Sequence, residues 1–384
     1  MQDKLKELEK KYCVDWREFE IKDLFRVSTS KSIDKGKLNF TNSGIQFIGR
    51  TTTNNGVQGN IKKQNFEPNP KNTFSVSQIG VINAQFREKE WYASQNMFVL
   101  TAKQENQNLV ENFKYITTAI NKGLTLFSGG YSSYPTQKTL EKLKITLPTV
   151  NNEIAFDYIK EFVNTLEAER LATLEAYLLA TGLKNTELTL EERSALDKLG
   201  GAGSVSWKVF SLPSLFTIKN THCILSRDIV ENSGTVPYLT AGQGNNAVGT
   251  YVKFDESQID EGNSIFIGGK TFVVTYQEKD YFSNDSHNLA LYYKDASKRT
   301  KENQLFMTTA VYKSLSHLYS WGNSISRSKI QSDSVMLPCD DEGKIDFDFM
   351  STLVSAVQKV VIKNVVTHLD KRIALTSKVI KEFR

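Results

Sequence analysis

Short apolar runs, broken by glycine, asparagine and serine, make up much of the chain, and their spacing indicates strands joined by turns. In the first half of the chain these runs are "GIQFIG", "IGVINAQF" and "MFVLTA". In the second half they are "SIFIGG", "TFVVTY" and "LALYY". A helix is predicted after each set, over residues 108–121 and 303–315, so each half is expected to have mixed α and β structure.

Two further stretches, 151–182 and 353–373, place apolar residues at helical spacing with charges on the other faces. The apolar stripes include Tyr158, Phe162, Leu166 and Leu174 in the first stretch, then Val357, Val361, Val365 and Leu369, which step by four, in the second. Narrow stripes are typical of helices that pack on one another. At ~1.5 Å per residue, the first stretch makes a rod roughly 48 Å long. We therefore predict two long antiparallel helices; the alternative is that each helix covers the core of its own domain.

The second half of the chain repeats the first at an offset of about 191 residues. "VDWREFEIKDLF" at 14–25 recurs as "VSWKVFSLPSLF" at 205–216, and "ITLP" at 145–148 recurs as "VMLP" at 335–338. Because the matches keep their order at one offset, they indicate a duplicated domain and not a solenoid. The predicted fold class is α+β, with two similar mixed α/β domains joined by two long antiparallel helices in a pseudo-twofold tandem repeat. Trp16 and Trp207 are expected to anchor the two cores.

Composition narrows the class of protein. The chain has 384 residues, of which 39% are hydrophobic and 11% aromatic, as in a folded two-domain protein. No apolar run approaches the ~20 residues of a membrane span, and the charged N-terminus does not resemble a signal peptide. Three scattered cysteines indicate a reducing cytoplasm. Four histidines without companion ligands at metal-binding spacing predict no zinc site.

Charge is distributed unevenly along the chain. Residues 12–150 carry 18 Lys and Arg against 11 Asp and Glu, a net charge of +7, whereas residues 151–199 carry 5 against 10. Residues 200–340 balance at 13 against 13. A basic first domain beside an acidic helical segment fits an anionic partner that meets only part of the chain, although an unevenly charged solvated surface gives the same counts.

The repeated features resemble those of a known family. The paired "W…F…LF" openings are followed by stretches rich in glycine and asparagine near 45–60 and 236–251, then by "ITLP" and "VMLP" and a long helix. In this order they resemble the specificity (S) subunits of bacterial type I restriction-modification systems, over nearly the whole chain. The resemblance implies five segments: a short N-terminal helix (1–11), target recognition domain 1 (12–150), a central long helix and linker (151–199), target recognition domain 2 (200–340) and a C-terminal long helix (341–384).

The family resemblance also implies partners. Each recognition domain reads one half of a split sequence on double-stranded DNA, and the coiled coil of the two long helices docks two methyltransferase (M) subunits, with restriction (R) subunits in the full complex. The stripe residues named above are then subunit-interface residues. S-adenosylmethionine and ATP with magnesium are expected on the partner subunits, and no cofactor or membrane is expected for this chain.

Base and phosphate contacts require Arg, Lys, Asn and Gln on loops. In the first domain the candidate DNA-binding residues are Arg50, Asn54, Asn55, Lys62, Lys63, Gln85, Arg87 and Tyr131. In the second domain they are Gln243, Asn245, Asn246, Lys253, Lys270, Arg327 and Lys329, of which the four cations are expected on one surface. Arg50 and Arg87 are the foremost candidates for guanine or phosphate contact. The paired asparagines are interpreted first as turn formers, because asparagine beside glycine is ordinary turn chemistry.

No catalytic constellation is found in the sequence. "SIFIGGKT" at 264–271 departs from the P-loop pattern at Ser264, and "DDEGK" at 340–344 is interpreted as a polar turn. The chain is therefore predicted to be a non-catalytic subunit. Two alternatives remain: the specificity subunit of a type IIB-like fused restriction-methylation enzyme, and a duplicated module that binds a protein or glycan.

Overall fold

The computed structural model describes residues 2–127, 130, 133–201 and 205–382, with side chains as far as residue 375. The chain divides into two compact units, Met1–Leu174 (unit 1) and Glu175–Arg384 (unit 2). Strands form where short runs of β-branched and aromatic residues alternate with turn residues, and long helices form where apolar residues recur at helical spacing.

Unit 1 contains three small sheets and several helices. Its helices are α1 (Gln2–Tyr12), α2 (Ile21–Leu24), α3 (Asn108–Glu111), α4 (Phe113–Leu124), α5 (Gln137–Glu141) and α6 (Phe156–Ala180), whose last turns belong to unit 2. Its strands are β1 (Asp15–Glu20), β2 (Phe25–Thr29), β3 (Ile45–Ile48), β4 (Val57–Ile61), β5 (Thr73–Ser77), β6 (Ala84–Arg87), β7 (Trp91–Ala93), β8 (Met97–Ala102), β9 (Lys144–Val150) and β10 (Glu153–Ile154). The sheets have the orders β1-β9-β10, β2-β8-β5-β6 and β4-β3-β7.

Unit 2 repeats this topology. Its helices are α7 (Leu190–Leu199), α8 (Leu212–Leu215), α9 (Lys301–Leu315) and α10 (Phe347–Glu382). Its strands are β11 (Ser206–Ser211), β12 (Phe216–Asn220), β13 (Val236–Leu239), β14 (Val248–Val252), β15 (Ser264–Ile267), β16 (Val274–Gln277), β17 (Phe282–Ser283), β18 (Leu289–Tyr293) and β19 (Ser334–Cys339). The sheets have the orders β11-β19, β12-β18-β15-β16 and β14-β13-β17.

Strand register confirms the duplication residue by residue. Trp16 lies opposite Pro148 in unit 1, and Trp207 lies opposite Pro338 in unit 2. The β3–β4 and β13–β14 hairpins both shift register at the end of the first strand, and that strand pairs in parallel with β7 or β17 in each unit. The predicted tandem repeat of a mixed α/β domain is therefore confirmed.

Each unit has its own apolar core. In unit 1, Phe74 and Leu100 of the four-stranded sheet pack in one cluster with Ile116 and Ile120 of α4. In unit 2, Ile265 and Leu291 occupy the corresponding sheet, in one cluster with Met307 and Val311 of α9. Removal of these side chains from water stabilises each unit separately.

The prediction that Trp16 and Trp207 anchor the cores is wrong. Their exposed fractions are 49% and 40%. Successive side chains of a strand point to opposite faces, so Trp16 and Phe19, three residues apart, cannot face the same side. Phe19 packs against the core of unit 1, which leaves Trp16 on the outer face. In unit 2, Trp207 stacks on Phe306 with ring centroids 6.4 Å apart.

The long helices exist, with bounds that differ from the prediction. Residues 153–154 form β10, and α6 has 25 residues, which makes it ~38 Å long. Helix α10 has 36 residues and is ~54 Å long. Within unit 2, the chain from residue 184 to residue 192 runs opposite to α10, since Lys184 bonds Asp370 at 2.5 Å and Glu192 bonds Lys359 at 2.9 Å.

The predicted stripe on α10 is wrong in part. Val357, Val361 and Val365 are exposed, Val361 by 70%, whereas Leu369 is buried. Four residues turn an α-helix by about 400°, so a series that steps by four drifts by about 40° per step and leaves one face. The buried apolar positions are Met350, Leu353, Ala356, Val366 and Leu369, which mix steps of three with one longer interval.

The predicted stripe on α6 begins in the core of its own unit. Tyr158 is buried in a cluster with Leu8 of α1, and Phe162 packs edge-on against Tyr115 at 5.6 Å. Leu166 and Leu174 are half-buried. The start of α6 thus covers its own domain, as the alternative interpretation of these helices expected.

The stretch Phe347–Leu375 of α10 contains an 18-residue window with mean hydropathy 1.3, which meets the length and composition of a membrane-crossing helix. The helix contains Lys359 and Lys363, so it is not an uninterrupted apolar run of the ~20 residues that a membrane span needs. A single helix of this kind is a weak indication, and Lys359 near its middle bonds the carboxylate of Glu192 on α7.

Candidate nucleic-acid interface

The β3–β4 and β13–β14 hairpins each turn at a pair of asparagines. Asn54, Asn55, Asn245 and Asn246 have φ angles of 48°, 48°, 48° and 53°, in the left-handed region that asparagine tolerates. The Nδ2 of Asn54 donates to the carbonyl of Val57 at 2.9 Å, and that of Asn245 donates to the carbonyl of Val248 at 3.0 Å. These bonds lie within the turns, so the interpretation of the pairs as turn formers is confirmed.

The second asparagine of each pair is attached to the neighbouring sheet. In unit 1, Asn55 Nδ2 donates to the carbonyl of Phe86 at 3.3 Å. In unit 2, Asn246 Nδ2 donates to the carbonyl of Tyr276 at 3.0 Å. The same bond therefore fixes each hairpin end against β6 or β16.

Arg87 of β6 and Gln277 of β16 complete these attachments from equivalent positions. Arg87 Nη1 donates to the carbonyl of Asn55 at 2.5 Å, and Gln277 Nε2 donates to the carbonyl of Asn246 at 3.0 Å. A guanidinium in unit 1 and a neutral amide in unit 2 thus donate the equivalent hydrogen bond.

Arg87 is an internal residue, with an exposed fraction of 1%. Its Nε donates to Ser75 Oγ at 2.9 Å, and its Nη2 donates to Gln85 Oε1 at 2.5 Å. Burial lowers the pKa of Arg87 to about 10, and no carboxylate bonds it within the described residues. In this conformation Arg87 and the buried Gln85 hold the turn in place, a role that differs from the predicted contact with guanine or phosphate.

The other predicted residues of unit 1 lie at two opposite ends of the β3–β4 hairpin. Arg50 follows β3 at the asparagine end and is exposed. Lys62 and Lys63 follow β4 at the far end, where Lys63 pairs with Glu67 at 2.9 Å. The structure therefore brings Arg50 to the paired asparagines and separates Lys62 and Lys63 from them. Tyr131 lies outside the described residues.

The cations of unit 2 divide in the same way. Lys270 is next to Thr271, whose Oγ1 donates to the carbonyl of Ala241, near exposed Gln243 at the asparagine end. The amide of Ile325 donates to the carbonyl of Gly269, which brings the loop of Arg327 and Lys329 to Lys270. Lys253 follows β14 at the opposite end of the hairpin, away from this loop, and a shared surface for Lys270, Arg327 and Lys329 stays a prediction.

The free cations at this end of unit 2 are fewer than the sequence indicates. Lys270 Nζ bonds Asp285 Oδ2 at 2.8 Å, and His287 Nδ1 lies 2.8 Å from Asp285 Oδ1. Burial raises the pKa of Asp285, but these partners outweigh it and hold the pKa at about 2. Lys329 bonds Asn323 and Ser324, whereas Arg327 is exposed and its side chain makes no ion pair in the described parts of the chain.

A cleft of about 610 Å³ adjoins the asparagine turn of unit 1. Its lining is rich in amides and aromatic rings: Gln46, Asn54, Asn55, Val57, Gln85, Phe86, Arg87, Glu88, Lys89, Phe113, Lys114, Thr117 and Thr118. Gln46, Lys89 and Lys114 were missed from sequence. The polar Gln46 inside the apolar run "GIQFIG" was the available signal, because an alternating strand points it away from Phe47.

The two motif look-alikes are turns. Residues 264–271 form β15 and its hairpin connection to β16, where Gly269 lies so close to the backbone of His287 that a side chain would not fit. In residues 340–344 the amide of Gly343 donates to the carbonyl of Asp340 at 2.9 Å. Among the residues that the structure describes, no group of three or more His, Cys, Asp and Glu is arranged to hold a metal ion.

Each unit thus has a hairpin on a small sheet, beside a larger α/β core, and the end of that hairpin is held by two asparagines. The two units repeat this arrangement along the chain. The model of the family described as "Type I restriction modification DNA specificity domain" matches residues 13–176 and 204–368. Because these matches cover most of the chain, the chain belongs to that family. It carries two copies of the domain, as a restriction-modification specificity subunit with two target recognition domains.

Two individual proteins show the same likeness. The "Type II restriction enzyme BgcI specificity subunit S.BcgI" of Heyndrickxia coagulans is 23% identical over 355 residues, 91% of this chain and 96% of that protein. The crystal structure of the type I restriction-modification system S subunit from M. genitalium has a TM-score of 0.56 at 16% identity, over 95% of this chain and 94% of that one. At this identity the structure supports the fold alone.

Proposed function

We propose that the chain reads a bipartite, interrupted DNA sequence and directs methyltransferase subunits to it. Residues 12–150 read one half of the target and residues 200–340 the other, each through the asparagine end of its hairpin. The single observation that carries this proposal is that the same asparagine-held hairpin end recurs on two copies of the same fold.

The asparagine end is favoured over the opposite end by its free polar groups. In unit 1 it has exposed Arg50, whereas Lys63 at the far end is already paired with Glu67. In unit 2 it has Gln243 and the loop of Arg327. Guanidinium and amide groups on such loops can form paired hydrogen bonds with base edges in the major groove.

The two half-sites are expected to differ in sequence. Exposed Arg50 at the asparagine end of unit 1 corresponds to Ala241 at the repeat offset in unit 2. Equivalent scaffolds with different side chains recognise different bases, so the target is asymmetric.

The chain's role in the complex is recognition. The exposed apolar face of α10, formed by Val357, Val360, Val361 and Val365, suits a protein partner, because large exposed apolar patches mark interaction sites. Two methyltransferase subunits, and restriction subunits in a full complex, then supply catalysis with S-adenosylmethionine and ATP with magnesium, in the cytoplasm. The isolated chain is a non-catalytic subunit and binds DNA weakly until a methyltransferase joins it.

A specificity subunit of a type IIB-like fused enzyme is the second candidate, favoured by the likeness to the type II specificity subunit of Heyndrickxia coagulans. It implies the same DNA reading. The salt dependence of binding distinguishes a DNA reader from a protein- or glycan-binding module. The affinity of a protein for DNA falls steeply as salt rises, because binding releases counterions from the DNA. Mapping methylated bases in the host genome with and without the gene separates both DNA readers from a protein- or glycan-binding module, since only a DNA reader loses a gapped motif on deletion.

Replacing Arg50 with alanine is expected to weaken methylation of one half-site pattern. The variant removes the exposed guanidinium at the hairpin end, and one good base contact contributes about 1–3 kcal/mol of discrimination. The measurement is the methylation rate of duplexes that differ in one half-site at a time. Lys63→Ala, at the far end of the same hairpin, is the control and should leave every rate within about twofold. An effect of Lys63→Ala larger than that of Arg50→Ala would place the DNA at the other end.

A further inference from the structure

A second cleft, of about 590 Å³, lies within unit 2 where the first turns of α7, α9 and α10 meet. We call it the α9–α10 cleft. Its lining residues are Thr189, Glu191, Glu192, Ser297, Lys298, Thr300, Glu302, Asn303, Phe347, Asp348, Ser351, Thr352 and Ser355. None of them belongs to the DNA-reading end described above.

Four carboxylates line this cleft: Glu192, which is paired with Lys359, and one in the first turn of each helix, Glu191, Glu302 and Asp348. Each interacts favourably with the N-terminus of its own helix, which explains why it stands there. Glu302 and Asp348 make no ion pair among the described residues. The cation of the lining, Lys298, lies over the ring of Phe347 at 5.3 Å. The cleft therefore concentrates negative charge that the chain does not balance.

An unsatisfied acceptor adds an independent sign of a ligand. Asn303 is exposed by only 4%, and its Oδ1 is buried without a hydrogen-bond partner. Its Nδ2 donates to the carbonyl of Lys298 at 3.1 Å, and its backbone amide donates to Thr300 Oγ1 at 3.3 Å, which fixes the side chain. A buried acceptor without a partner is unfavourable by roughly 1–3 kcal/mol, so a donor that reaches this atom gains the bond.

The equivalent cleft of unit 1 indicates which kind of side chain the site accommodates. This cleft, about 360 Å³, is lined by Glu111 and Asn112, which correspond to Glu302 and Asn303 at the repeat offset. Here the chain itself supplies two lysines, Lys114 and Lys160, and Lys114 pairs with Glu167. The equivalent positions in unit 2 are Leu305 and Ser351, so the same site lacks its cations there.

We propose that the α9–α10 cleft of unit 2 binds a lysine or arginine side chain of the methyltransferase partner. The charge of the lining favours a cation, Asn303 Oδ1 lacks a hydrogen-bond donor, and unit 1 lines the same place with two lysines. A bare metal ion fits less well, because the volume far exceeds the ~30 Å³ that one water occupies. This inference rests on the proposed function, which supplies the partner.

The test measures the affinity of the full-length chain for its cognate methyltransferase subunit by calorimetric titration. Ser351→Lys copies Lys160 of unit 1 and places a lysine of the chain in the cleft, so one methyltransferase copy should bind at least tenfold more weakly. The double variant Glu302→Gln, Asp348→Asn should weaken the same step about tenfold and flatten its salt dependence. Glu111→Gln, in the lysine-filled cleft of unit 1, is the matched control and should bind within about twofold of the parent chain.

Equal affinity of the parent chain, Ser351→Lys and the double variant overturns the inference and leaves the proposed function intact. If spermidine, titrated alone, binds the parent chain but not the double variant while methyltransferase affinity is unchanged, the cleft takes a small polyamine and the inference is likewise wrong. A parent chain that binds no methyltransferase at all overturns both proposals.

Discussion

Replacing Arg87 with alanine is expected to destabilise unit 1 by about 3 kcal/mol, among the larger effects of a single substitution. The change leaves the carbonyl of Asn55 and the Oε1 of Gln85 without their donor, and each buried unsatisfied group costs roughly 1–3 kcal/mol. It also empties the space beside the ring of Trp91, 5.8 Å from the guanidinium carbon. Calorimetry of the full chain should show the unit 1 transition lowered by ~6–12 °C, with the unit 2 transition unchanged.

A variant that copies unit 2 is the control for Arg87. In unit 2, Gln277 Nε2 donates both to the carbonyl of Asn246 and to Thr275 Oγ1. The double variant Arg87→Gln, Gln85→Thr transfers this arrangement to unit 1 and removes the buried charge. It should recover most of the lost stability. If the alanine and double variants unfold at the same temperature, the hydrogen bonds of Arg87 do not hold the turn.

The architecture was predictable because the same motifs recur in the same order in both halves of the sequence. Two occurrences of the W…F…LF pattern at one offset identify the domain openings, and the structure pairs Trp16 and Trp207 with equivalent prolines. The positions of the strands and helices could be predicted from the spacing of apolar residues along the chain. The asparagine turns followed from local chemistry, because few other residues adopt a positive φ at consecutive positions without strain.

Whether a given side chain faces the core or the solvent was less predictable, because it depends on which element a strand or helix packs against. Trp16 and Phe19 are both apolar, and only the packed core shows that Phe19 faces inward. The valines of α10 are as apolar as its buried residues, but drift of the four-residue step carries Val361 outward. Arg87 occupies a position where a loop-based argument expects solvent, and tertiary packing places it inside.

The clefts required contacts that no pattern encodes. Glu302 and Asn303 lie at the start of α9 and Asp348 at the start of α10, far apart in sequence. Only the fold brings them to one place. Sequence did contain the relevant comparison, since Lys160 aligns with Ser351 at the repeat offset, but without the fold nothing indicated that these positions mattered.

Replacing Glu192 with alanine is expected to destabilise unit 2 by about 4 kcal/mol. Glu192 is 5% exposed, and its carboxylate accepts from Lys359 Nζ at 2.9 Å and from Ser355 Oγ at 2.7 Å. It also accepts from the amide of Thr189 at 2.8 Å, which caps the N-terminus of α7. Removing one partner of a buried ion pair costs about 3–5 kcal/mol, and loss of a cap costs about 1 kcal/mol. Amide hydrogen exchange in α7 and the unit 2 calorimetric transition measure the loss.

Acid should reveal the same contact in the parent chain. Burial raises the pKa of Glu192, but its bonds to Lys359, Ser355 and Thr189 outweigh burial and hold the pKa below its usual value of 4.5. A carboxyl whose pKa is lowered by folding stabilises above its unfolded pKa, and that stability is lost as pH falls from about 4.5 through the folded value. Glu192→Gln should remove this acid-dependent part of unit 2 stability. Glu342→Ala, which breaks an exposed pair with Lys344, should shift stability by no more than about 0.5 kcal/mol. Equal losses in Glu192→Ala and Glu342→Ala would mean that α7 is not held on α10 through Glu192.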